Sequence, residues 1–141
     1  MESAEILPNE KKVIYSLAKY LKNTNTDANF TSPYLRCQQT VEIVKEVTGK
    51  IFVSDKNLKD WYSSKEDTGK MITRIKTFFN KLQKLNYNSV AICTHGYPIN
   101  ALIALATKGK VLNNDLYHYP QPGVLVIIKD KKIKYIDFNL T

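Results

Sequence analysis

Hydrophobic and polar positions alternate in two rhythms along the chain. Ile14, Leu17, Ala18 and Leu21 recur at i, i+3, i+4 and i+7, the spacing of one buried helical face, and Pro8 and Asn9 mark its start. Cys37, Val41, Val44 and Val47 give a second helix, which Ser32 as N-cap and Pro33 as first helical residue would open and Gly49 would close. The clearest helical period covers 66–85, through Met71, Ile72, Ile75, Phe78, Phe79, Leu82 and Leu85, and its aromatics read as core rather than as a cofactor site. A fourth helix is expected over 98–107, with Pro98 suited to the first turn.

Between these segments lie short apolar runs that read as strands: 28–31, 51–53, 90–93 and 124–128. A further strand over 132–138 pairs with the last of them in a hairpin turning at Asp130 and Lys131. The run Val90, Ala91, Ile92, Cys93 is unbroken, so it is expected to be buried on both faces. Ahead of the first helix the chain offers at most the short apolar pair Ile6 and Leu7, too little for a central strand. Helices alternating with strands make the fold class α/β.

Composition narrows the picture. The 141 residues suit one domain that buries roughly two-thirds of its unfolded surface. Lys and Arg total 21 against 13 acidic residues, a net charge of +8 that would attract phosphorylated substrates, nucleic acid or anionic membrane. The lysines are scattered and no stacking aromatics accompany them, so a solvated surface is expected, with neither nucleic acid nor membrane as partner. Cys37 and Cys93 sit in apolar settings and read as buried free thiols, which suits a reducing compartment. No signal pattern and no span-length apolar run occurs, so a cytoplasmic location is expected.

Two strand-to-helix turns carry reactive groups: Ser32 to Arg36 at one, His95 with Gly96 at the other. If their strands are parallel, both turns open on one sheet edge. An arginine fork, an imidazole and two helix N-termini would then surround a phosphoryl group or another oxyanion. A lone histidine in a turn is also a common structural residue, and spacing alone leaves that alternative open.

Thr31, Ser32, Pro33, Tyr34, Leu35, Arg36 and Cys37, followed by Thr40, resemble the SPxxRxxxT motif of the histidine phosphatase superfamily, the phosphoglycerate mutase-like proteins. Thr94, His95 and Gly96 are similar to that family's second histidine motif, and the resemblance covers nearly the whole chain. It implies a three-layer α/β/α fold with a mostly parallel sheet, and phosphomonoester hydrolysis through a phosphohistidine. It also implies that Arg36 and His95 hold the phosphoryl oxygens, with Ser32 and Gly96 beside them. Asp60 is the candidate leaving-group acid, with Asp55, Glu66 and Asp67 as weaker ones. No cofactor or metal is implied, and the partner would be a phosphorylated small molecule or phosphoprotein. A phosphatase is expected over a mutase because the chain lacks substrate-specific insertions.

The family's first motif, Arg-His-Gly at the end of a central strand beside the one that ends at His95, has no counterpart, because no histidine precedes His95. His118 falls in the loop before the last two strands, where the family places no nucleophile. The chain is therefore expected to be a single domain over 1–141, N-terminally truncated relative to the family, with hydrolysis impaired or absent as written. The central strand would be missing or replaced. Its gap would be repaired by a start upstream of Met1, by direct closure of the flanking strands, or by another chain such as a homo-oligomer partner. The alternative class is a non-catalytic module that binds a phospho-ligand or a partner. A cysteine-dependent phosphatase is excluded, since neither cysteine has an arginine six residues on.

Overall fold

Residues 4–140 are described by a computed structural model. Helix α1 covers Pro8–Leu21, with proline at its start and the Glu10 carboxylate accepting from the Leu7 N–H at 3.1 Å. Strand β1, Ala28–Thr31, leads into α2, Leu35–Thr48, which stops where Gly49 takes φ 78°. After the two-residue strand β2, Val53–Ser54, a loop leads to α3, Thr68–Leu85, capped by Asp67 accepting from the Lys70 N–H at 2.8 Å. Strand β3, Val90–Cys93, then feeds α4, Gly96–Lys108, and the chain closes with the hairpin β4, Val124–Lys129, and β5, Lys132–Asp137. Asp130 and Lys131 both have positive φ, as a two-residue hairpin turn requires.

The three parallel strands order as β2-β1-β3, with Phe30 opposite Val53 on one side and Ile92 on the other. The antiparallel pair β4-β5 forms a second sheet. Phe30, Val90 and Ile92 pack on Met71, Ile75, Phe78, Ala101 and Leu105 of α3 and α4. On the other face α1 packs against α2 around Ala18, Leu21 and Val44, and Leu125 of β4 joins that cluster. The result is α/β in three layers, as the sequence predicts.

Four details differ from expectation. Ser32 does not cap α2; the helix begins two residues later with Tyr34 as its N-cap, because the Ser32 hydroxyl accepts from the Tyr34 N–H at 3.2 Å and also meets His95. The third strand is Val53–Ser54 rather than 51–53, and Ile51 is exposed. Leu85 is half exposed, since the last turn of α3 runs past the core. All four residues of β3 are partly exposed instead of buried, because among the described residues β1 is its single strand neighbour. Closure of the sheet by direct pairing of β3 with β4 is likewise not what the described residues show.

Candidate active site

Parallel pairing of β1 with β3 brings both turns to one edge of the sheet. His95, separated from β3 by Thr94, is the N-cap of α4, and its Nε2 lies 2.8 Å from Ser32 Oγ at the end of β1. Ser32 is fully buried, so its hydroxyl holds the imidazole in place rather than facing solvent. Asp60 Oδ2 stands 3.9 Å from His95 Nδ1 on the opposite side of the ring. That separation is charge proximity, too long for a hydrogen bond. The other Asp60 oxygen accepts from the Trp61 N–H at 2.8 Å. Tyr34 tilts over the imidazole with ring centroids 5.5 Å apart and stacks on Tyr62.

Gly96 opens α4 beneath the ring of Tyr119. A Cβ there would come within 2.3 Å of that ring, so the close approach requires glycine. Arg36 lies in the first turn of α2, near enough for its charge to act on His95. Its guanidinium is engaged elsewhere: Nη2 pairs with Glu10 Oε2 at 2.6 Å and Nη1 donates to the Glu5 carbonyl at 3.4 Å. An anion reaching Arg36 must therefore displace Glu10. Replacing Glu10 with Gln should tighten inorganic phosphate binding roughly two- to fivefold, the scale of a half-exposed ion pair, as isothermal titration would show.

The remaining predicted carboxylates have structural duties. Asp55 accepts from the Asn57 N–H at 2.9 Å and pairs with Lys81, Glu66 pairs with Arg74, and Asp67 caps α3. His118 is an exposed loop residue with φ 60°. Among the described residues no group of three His, Cys, Asp or Glu is placed to hold a metal ion.

Two neighbours of the site are not legible in the sequence as parts of it. Cys37 Sγ lies 3.6 Å from His95 Nε2 and 3.7 Å from the Thr94 carbonyl. Its contact with the Cys93 thiol and its burial push its pKa up, so it stays a thiol and makes a poor nucleophile. Arg74 gathers the loop that carries Asp60, donating to the carbonyls of Asn57, Lys59 and Asp60. Its rarity was a signal, as one of only two arginines, but those carbonyl partners leave no pattern in the side chains.

Burial holds the His95 pKa below 6.5; the Asp60 carboxylate opposes that shift, and the Arg36 and Arg74 charges reinforce it. Between the lowered folded value and 6.5 the unfolded chain binds more protons than the folded one, so stability rises with pH across that window. The contribution is complete above 6.5 and is lost on acidification. Urea midpoints at pH 7.5 and 5.5 should differ in that sense, and His95→Gln should shrink the difference.

Residues 5–65, which include the Ser32 to Arg36 turn and Asp60, match the family profile of the histidine phosphatase superfamily (branch 1). Solved structures superpose over nearly the whole chain. The alpha-ribazole phosphatase from Shigella flexneri does so with a TM-score of 0.74 at 15% identity, covering 96% of this chain and 84% of its own. The fold is the one these solved structures share. Within it, phosphoglycerate mutase from Bacillus anthracis str. Sterne gives a TM-score of 0.68 at 14% identity, over 97% of this chain and 84% of its own. The protein histidine phosphatase SixA, in complex with tungstate, gives 0.65 at 15%, over 96% and 83%. No curated protein matches the sequence. Among the described residues no helix is long and apolar enough to cross a membrane.

Proposed function

We propose that the chain binds phosphoryl groups as a histidine phosphatase-type domain whose chemistry, once a nucleophile is supplied, is phosphomonoester hydrolysis. The observation that carries this reading is the imidazole of His95 fixed by Ser32 at the edge where β1 and β3 end, with Asp60 behind it and Arg36 in the first turn of the adjoining helix. Phosphoryl oxygens would meet Arg36, the neutral His95 and the N–H groups that open α4 at Gly96, while Asp60 would protonate the leaving oxygen. The tungstate held by SixA, an oxyanion of phosphate shape, supports the same ligand class.

The histidines of the sequence are His95 and the loop residue His118, so the phosphohistidine step has no evident nucleophile of its own here. That favours a second reading, a module that binds a phosphorylated small molecule or phosphoprotein without turnover. The pair of free cysteines fits a cytoplasmic setting for either. Arg36→Ala should lower affinity for orthovanadate about tenfold or more, measured by titration, because a bidentate donor is lost. Unchanged affinity would remove Arg36 from the site. Hydrolysis of p-nitrophenyl phosphate by the unmodified chain would decide against the non-catalytic reading.

A further inference from the structure

Aromatic rings gather at the groups that would meet a phosphate ester. Tyr34 lies against the His95 imidazole with centroids 5.5 Å apart, and Tyr62 runs nearly parallel to Tyr34 at 6.3 Å, with 13° between the two planes. Trp61 donates its backbone N–H to Asp60 and meets Tyr97 edge-on at 4.7 Å. Tyr97 meets Tyr119 in the same way at 5.0 Å, and the Tyr119 ring covers Gly96. His95, Asp60 and Gly96 therefore each have an aromatic residue beside them.

Two of these five are accounted for by packing. Trp61 and Tyr97 rest on the core that α3 and α4 build, and the Trp61 indole N–H donates to the Glu66 carbonyl at 2.8 Å. Among the described residues Tyr34, Tyr62 and Tyr119 belong to none of the apolar clusters. Tyr34 and Tyr62 are half-buried and Tyr119 is 41% exposed. Lys65 Nζ stands over the Tyr62 ring at 5.8 Å from its centroid, a cation on a face that attracts one. Large rings held near the surface beside a polar centre form a wall suited to a flat apolar ligand group.

The placement of these rings decides which part of a ligand they meet. Ser32 occupies His95 Nε2, so the nitrogen left for a phosphoryl oxygen is Nδ1, on the side of Asp60. With Asp60 as the leaving-group acid, the ester oxygen lies on that side too, and whatever it carries extends beside Trp61, Tyr62 and Tyr34. An alkyl group gains nothing special there; a ring gains edge-on or offset contacts with other rings.

We propose that the site selects aryl phosphates, phosphomonoesters whose ester oxygen is bonded directly to an aromatic ring, with the phosphotyrosine side chain as the biological form. This rests on the phosphoryl-binding reading above. Direct attachment matters because Tyr34 touches the same imidazole that would hold the phosphoryl group. A nucleotide carries its base a whole sugar away from phosphorus, too far out to share that contact.

The test is isothermal titration of the unmodified chain with inorganic phosphate, phenyl phosphate, N-acetyl-phosphotyrosine amide, glycerol 2-phosphate, adenosine 5′-monophosphate and phenol. Both aryl esters should bind about tenfold or more tighter than glycerol 2-phosphate, the scale of one or two aromatic contacts, and the nucleotide should not exceed glycerol 2-phosphate. Tyr62→Leu should reduce the aryl-to-glycerol ratio about threefold or more, whereas Tyr62→Phe, which keeps the ring, should preserve it. Equal binding of aryl and glycerol esters would overturn the aryl assignment and leave the phosphoryl site standing, as would a nucleotide that binds tighter than phenyl phosphate. A Tyr62→Phe ratio as low as that of Tyr62→Leu would overturn it too, by assigning the effect to the hydroxyl. Phenol binding as tightly as phenyl phosphate, or no binding of phosphate and any ester, would remove the phosphoryl reading and the aryl assignment together.

Discussion

Replacing Arg74 with Met should lower stability by about 3 kcal/mol, read from the urea midpoint, and loosen the loop that carries Asp60. All five guanidinium N–H groups are spent: two on the Glu66 carboxylate at 2.9 Å each, and three on the carbonyls of Asn57, Lys59 and Asp60 at 2.7 to 2.9 Å. The side chain is mostly buried, so water cannot fully replace it and the Glu66 charge loses its partner. The estimate sits at the low end for a broken buried pair because Glu66 keeps some access to solvent. Arg74→Lys should recover little, since an ammonium cannot span a carboxylate and three carbonyls at once. Faster proteolysis within residues 57–66 would accompany the loss, and an unchanged cleavage rate would show that the loop holds itself.

Phe78→Ala should cost more, about 3 to 5 kcal/mol in the same measurement. Phe78 is fully buried among Met71, Ile75, Leu58 and Leu116, and its ring meets Phe30 edge-on with centroids 5.4 Å apart. Truncation leaves a cavity between β1 and α3 where two elements converge and neither can collapse inward. The same packing makes the aromatic stripe of α3 part of the core, as its period indicates.

Legibility in the sequence followed the range of the interaction. The helices were readable because each announces its own buried face, and Gly49 marks the end of α2 by local chemistry, whereas Asp67, read as a candidate acid, is the N-cap of α3. The run 90–93 announced a strand, but an apolar run carries no information about how many neighbours it has, so the partial exposure of β3 could not be foreseen. His95 and Arg36 stood out by their places in two strand-to-helix turns. The contacts of His95 with Ser32 and Cys37 join residues 63 and 58 positions apart, and parallel pairing of β1 with β3 is what makes them neighbours. Ser32 was legible as a residue at a helix entrance and not as a partner for an imidazole, because both uses begin with the same Ser-Pro.

Among the described residues no backbone ladder crosses from the parallel strands to the β4-β5 hairpin. What fastens that ribbon is side-chain contact: Leu125 in the α1-α2 cluster and Tyr20 edge-on to Phe138. Oily contact of this kind resists separation but grips weakly against sliding, so the ribbon can shift sideways without any rung of the parallel sheet being broken.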